Sequence, residues 1–224
     1  MRSQISETKI NFFRFEILNW YRENGRKFPW RLRGLTIYDY IIAEVLLQRT
    51  KAETISKFYS AFLKRFPNWE SIVNSQPQEI ENYLIPVGLY RQRSKRLISL
   101  ANEMTKRNGV LPKKRIELET IPFMGQYIAN AVELIIFNRK SPLIDINMSR
   151  VLERFFGQRT MADIRYDPYL QNLALQIVDH KKAKEINWGI LDFAALICKP
   201  IKPLCQICAL RTKCNLFKFY PKFK

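Results

Sequence analysis

Four cysteines fall in one short stretch, Cys198, Cys205, Cys208 and Cys214, spaced C-x6-C-x2-C-x5-C. Clustered thiols in a chain with no other cysteine read as a metal site rather than as scattered disulfides. Zinc accepts four thiolates, but its ribbons and fingers usually present two close pairs, and here only Cys205 and Cys208 form one. Compact, unequal spacing also fits a [4Fe–4S] cube. The sole histidine, His180, lies upstream in a lysine-rich run and reads as a surface residue rather than a ligand. Between the first two cysteines, Pro200 and Pro203 stiffen a loop that carries Lys199 and Lys202. Anchored at both ends, that loop is able to present cations to phosphate, or simply to water.

Two carboxylates also stand where chemistry is conceivable. Glu44 interrupts the apolar run IYDYIIAEVLL, and burial in a helix would raise its pKa. Asp145 follows Leu143 and Ile144 and precedes a helical pattern, where an N-cap alone would contribute ~1 kcal/mol.

The elements that must position these groups are helical. Apolar residues recur at three- and four-residue steps after Phe12, and helices are expected at 38–47, 55–66, 71–73, 78–84 and 91–107. Further helices are expected at 126–137, 147–156, 168–178 and 187–197, with a short element at 116–120. No pair of alternating segments carries a hairpin signal. The fold class is all-α with about ten helices.

Composition narrows the partner. Lys and Arg number 38 against 20 Asp and Glu, a net charge of +18. Such an excess favours a polyanion, whose counterions are released on binding. No apolar run approaches the ~20 residues of a bilayer span, and the sequence MRSQISETKINFF lacks a secretory h-region. A cytoplasmic protein acting on the nucleoid, with no membrane partner, is expected.

The segment LETIPFMGQYIAN (118–130) resembles the helix–hairpin–helix motif, with Pro122, Met124 and Gly125 in the turn. Taken alone it is a Pro-Gly turn between helices. Gly125 is expected to supply the backbone freedom; Phe123 stands where the first hairpin glycine is usual. With hairpin, PLIDINMSRVLERFFG and cysteines in this order, the chain resembles the endonuclease III superfamily of DNA glycosylases, from FPWR at 28–31 to Cys214. FPWR, AEVLLQRT, VGLYRQRSKRL and ILDFAALIC are similar to thymine/uracil mismatch glycosylases and to adenine glycosylases.

That resemblance implies two helical lobes, a six-helix barrel over 29–139 with the hairpin and a [4Fe–4S] lobe over 1–28 and 140–224, with a DNA cleft between them. It implies metal ligands Cys198, Cys205, Cys208 and Cys214, and a catalytic Asp145. It gives Glu44 a proton-donor role and places Tyr127 where bifunctional relatives carry a lysine. Tyrosine has no amine for a Schiff base, so a monofunctional enzyme is expected. Arg49, with Gln48 beside it, and Leu89 match the side chains that fill the space of a flipped base. The expected partner is double-stranded DNA with a mispaired base, bound by a monomer.

QRT at the wedge, GLYRQR, and an end 10 residues after Cys214 favour thymine or uracil opposite guanine. An adenine glycosylase is the alternative, and an inactive iron–sulfur DNA-binding module the non-enzymatic one.

Overall fold

The computed structural model describes residues 5–219. In chain order its helices are α1 Glu7–Asn24, α2 Ile37–Leu47, α3 Ala52–Arg65, α4 Trp69–Val73, α5 Pro77–Leu84, α6 Tyr90–Lys106, α7 Arg115–Leu118, α8 Gln126–Ile135, α9 Ile146–Phe156, α10 Pro168–Val178, α11 Ala183–Leu196 and α12 Asn215–Phe219. Short 3₁₀ turns join some of them, and no strand occurs among the described residues. The fold is all-α, as expected. None of the described helices is long and apolar enough to cross a membrane.

The chain divides into two compact units. One is Lys27–Val132; the other takes the chain up to Arg26 and from Glu133 onward, so the division falls inside α8.

In the Lys27–Val132 unit, α2 opens on a capping box: Thr36 Oγ1 accepts the Asp39 amide and the Asp39 carboxylate accepts the Thr36 amide. From there nearly every side chain of α2 is buried, Tyr38, Tyr40, Ile41, Ile42, Ala43, Glu44, Val45 and Leu46 in succession. A helix apolar on all faces must be enclosed, and α3, α6 and the Pro29–Arg31 turn pack on it. Aromatic rings fill the gaps: Trp30 stacks on Phe28 and meets Tyr59 edge-on, and Tyr38 meets Trp69 edge-on. Two of the tyrosine hydroxyls are satisfied by backbone, Tyr38 by the Phe66 carbonyl (2.5 Å) and Tyr59 by the Asp39 carbonyl (2.8 Å). α4 and α5 pack on α6, which is followed by Asn108 and Gly109, both left-handed, with the Gly109 amide returning to Met104 O (2.8 Å).

In the other unit, α11 is the central helix, with α1, α9 and α10 against it. α1 comes so close that a Cβ on Gly189 would lie 2.8 Å from Ile17 Cγ2, which explains glycine inside a helix. Phe13 packs on Phe155 and Phe156, and Trp20 meets Phe193 edge-on. The buried Asp192 is neutralised by Arg26, which donates through both its amide and Nε at 2.8 Å.

Candidate functional site

Asp145 is the N-cap of α9. Its Oδ1 accepts the amides of Asn147 and Met148, each at 2.8 Å, and its Oδ2 accepts Asn147 Nδ2 at 2.7 Å. The approach to it is fixed by buried Asn187 of α11, which accepts the Leu143 amide (2.7 Å) and donates to Ser141 O. Burial pushes the Asp145 carboxyl up from its ordinary value, while the three donors and nearby Arg150 hold it down in part.

Arg150 extends this network. It donates to Asn147 Oδ1 (3.2 Å), to Ala194 O (3.0 Å) and to Cys198 O (2.9 Å). One turn later Arg154 donates to Lys199 O and Pro200 O, both at 2.7 Å, and points Nη1 at Cys198 Sγ (3.5 Å). The first cysteine and its loop are therefore held by the same helix that the aspartate caps. Neither arginine was singled out from the sequence. Their four-residue spacing, on the face of α9 away from its apolar stripe, is the signal that would have found them.

All four cysteines are free and half-buried. Among the described residues no three Cys, His, Asp or Glu side chains are gathered so as to hold a metal ion. The thiols nevertheless bear on one another: burial first, with the charges of Cys198, Cys214 and Cys205 adding to it, pushes Cys208 up to about 12. Burial likewise raises Cys205, again with Cys198 and Cys214 in electrostatic reach. Backbone amides donate to sulfur at Cys208, from Leu210, and at Cys214, from Leu216 and Phe217. That donor set, four sulfurs beside guanidinium and amide donors, fits thiolates held by a bound metal centre. Lys199 and Lys202 are exposed in the intervening loop.

In the Lys27–Val132 unit, Glu44 is 6% exposed. Burial raises its carboxyl to about 7, against the pull of the Tyr40 hydroxyl and the Arg31 guanidinium. The Tyr40 hydroxyl is itself buried and makes no hydrogen bond of full geometry, yet it lies near enough to Glu44 to favour its anion. Tyr127, half-buried at the start of α8, is in electrostatic reach of Tyr40, and Tyr59 of Glu44. A carboxyl that titrates near neutrality beside phenols is equipped for proton transfer.

The turn before α8 corrects two expectations. The left-handed residue is Phe123 (φ +75°), not Gly125. A Cβ at Gly125 would meet nothing within 4 Å, so that glycine leaves open space in front of the helix start rather than special backbone freedom. Met124, expected to face a ligand, is buried, and its amide is used by Ile121 O (3.0 Å); the outward groups are half-buried Pro122 and exposed Gly125. The Phe123 ring is capped by the Arg96 guanidinium, 4.5 Å from its centroid. Because a β-branched side chain tolerates positive φ worst, Phe123→Val should unfold with about 1–2 kcal/mol less stability than Phe123→Gly in urea titrations. Equal stabilities would show that this strain is absent.

Arg49 and Leu89 are both exposed, and both are left-handed, at φ +57° and +52°. Gln48 is the C-cap of α2, and its carbonyl accepts Arg93 Nη2 at 2.5 Å.

Comparison with known proteins gives these positions a setting. The family described as "HhH-GPD superfamily base excision DNA repair protein" matches residues 42–167. The thymine-DNA glycosylase of Aeropyrum pernix is 35% identical over 94% of this chain and 96% of its own length. The thymine/uracil-DNA glycosylase of Pyrobaculum aerophilum is 36% identical over 94% and 92%. The solved structure of a thermostable thymine-DNA glycosylase superposes with a TM-score of 0.87 at 31% identity, covering 94% of this chain and 97% of that one.

Proposed function

Because the chain belongs to the HhH-GPD superfamily of base excision DNA repair proteins, we propose that it is a monofunctional DNA glycosylase removing thymine or uracil mispaired with guanine. The observation that carries this reading is the identity of 35% and 36% to thymine-acting relatives along almost the whole chain. A T·G or U·G pair also opens at lower cost than a matched pair, which suits an enzyme that must extrude its base.

The roles follow from the chemistry of each group. Positive charge accumulates on the deoxyribose as the N-glycosidic bond breaks. The Asp145 carboxylate stabilises that charge and orients the water that adds to C1′. Glu44, protonated over part of the neutral range, donates a hydrogen bond or proton to the leaving base, and Tyr127 lines the pocket for it. Arg49 and Leu89 enter the duplex where the base departs, with Gln48 beside them. Pro122, Gly125 and the first amides of α8 meet phosphate, as do Lys199 and Lys202. Duplex DNA, bound by one copy of the chain, is the partner, which places the protein with the chromosome. Cys198, Cys205, Cys208 and Cys214 would hold a [4Fe–4S] cluster, which when bound supplies a rigid clamp for the lysine loop.

The test uses T·G, U·G, A·G and A·8-oxoguanine duplexes, followed by alkali. Strand breaks with the first two alone are expected. Breaks opposite adenine mispairs would replace thymine with adenine as the substrate, and no breaks with any duplex would leave a binding module. Borohydride during turnover should trap no covalent adduct, since Tyr127 offers no amine. The purified protein should contain iron and acid-labile sulfide in equal amounts; zinc in their place would remove the cluster.

A further inference from the structure

We infer that Arg93 and Thr50 form a brace that fixes the two loops bearing Arg49 and Leu89 in one arrangement, and so act as positioning residues for base extrusion. This rests on the glycosylase reading above.

Arg93 lies one turn into α6 after Leu89, on the buried face, and is 5% exposed. Its Nη1 donates to Leu46 O (2.6 Å), and its Nη2 donates to Gln48 O (2.5 Å) and to Thr50 Oγ1 (2.5 Å). The guanidinium thus takes the carbonyls that end α2, where the helix dipole is negative. The Thr50 hydroxyl accepts that bond and spends its own proton on Val87 O (3.3 Å), two residues before Leu89. Thr50's amide returns to Leu47 O (3.2 Å). The 48–50 loop and the 85–89 loop are therefore tied to each other through two side chains, buried Arg93 and half-buried Thr50.

Such tying is needed because the tips are strained. Arg49 and Leu89 are non-glycine residues at positive φ, a conformation that persists only where its surroundings enforce it. Leu89 is nonetheless 47% exposed, so its own packing does not enforce it. A duplex entered from both loops at once needs their spacing set beforehand, since ordering them on DNA would consume binding energy.

The experiment is stopped-flow fluorescence on a T·G duplex with 2-aminopurine beside the mispair, with single-turnover excision followed in parallel. Thr50→Val keeps the shape and removes both hydroxyl bonds. It should slow extrusion and excision about tenfold, the combined effect of losing those two hydrogen bonds. Affinity for undamaged duplex should stay near wild type, and the melting temperature should fall by no more than a few degrees. In an Arg49→Ala/Leu89→Ala background the same change should add less than about twofold, because neither loop then has a wedge to place. Arg93→Lys, which keeps the charge but loses the fork, should also slow extrusion. A full, independent effect of Thr50→Val in the Arg49→Ala/Leu89→Ala background, or unaltered extrusion in Thr50→Val, would overturn the brace while excision by the wild-type chain kept the function standing. A wild-type chain inactive on every mispair would overturn both.

Discussion

Asp145→Asn should reduce single-turnover excision by on the order of 10²- to 10⁴-fold while leaving folding and DNA affinity near wild type. Asparagine caps a helix about as well as aspartate, and its Oδ1 remains able to accept the Asn147 and Met148 amides that Asp145 accepts at 2.8 Å. The substitution removes the negative charge, and charge is what an oxocarbenium-like sugar requires. Asp145→Ala would remove cap and charge together, so Asn is the informative variant. The pH dependence has a definite sign. Burial raises the Asp145 carboxyl, so wild-type excision should fall as the medium is acidified through that elevated value and the anion is lost. The measurement is rate against pH for both proteins, with affinity followed by fluorescence anisotropy. Turnover within a factor of about three of wild type in Asp145→Asn would remove the aspartate from the chemistry.

The residues that carry local rules were legible in the sequence, and those that act through tertiary structure were not. α2 was expected at 38–47 and runs Ile37–Leu47, because Thr36 and Asp39 form the box that starts it. α9 was expected to end at Gly157, and it ends at Phe156 with that glycine as its C-cap at φ +137°. α11 begins at Ala183 rather than 187, since Lys182 makes no side-chain cap and the first turn is polar. α12 was missed: it is five residues long, and what anchors it comes from elsewhere, Asn215 donating to Phe156 O (2.9 Å) and accepting Lys9 Nζ (3.0 Å).

Of the site, Asp145 and Glu44 were singled out by the resemblance of PLIDINMSRVLERFFG and AEVLLQRT to the glycosylase family, while their burial follows from the apolar residues around them. Arg93 was read only as part of a basic helix. Its burial was nevertheless encoded: it falls in register with Leu97, Leu100, Ala101 and Met104 on the enclosed stripe of α6, and a charge on such a stripe must find carbonyls. The left-handed Phe123 was not readable, since the turn type depends on the surrounding helices and not on the side chain alone.

Glu44→Gln should trade stability against activity. The Glu44 carboxyl is raised from an ordinary 4.5 to about 7, first by burial. Between those values the folded chain holds a proton that the unfolded chain has released, so stability must fall as pH rises through the window and be lowest above 7. Roughly 3–4 kcal/mol is at stake. Glutamine never ionises, so Glu44→Gln should be more stable than wild type at pH 8 by about that amount and indistinguishable at pH 4. Chemical denaturation at the two pH values measures it. Activity should move the other way, falling by about 10²-fold at neutral pH, because the amide has no proton to give to the departing base. Wild-type excision should decline above pH 7 as Glu44 ionises, and that alkaline limb should be missing from Glu44→Gln. The limb does not belong to Tyr40 or Tyr59 nearby: burial lifts both far above the neutral range. A wild-type profile flat through pH 7 to 9, or a Glu44→Gln variant no more stable at pH 8, would mean that the carboxyl is ionised and solvated in the working enzyme and has no proton to transfer.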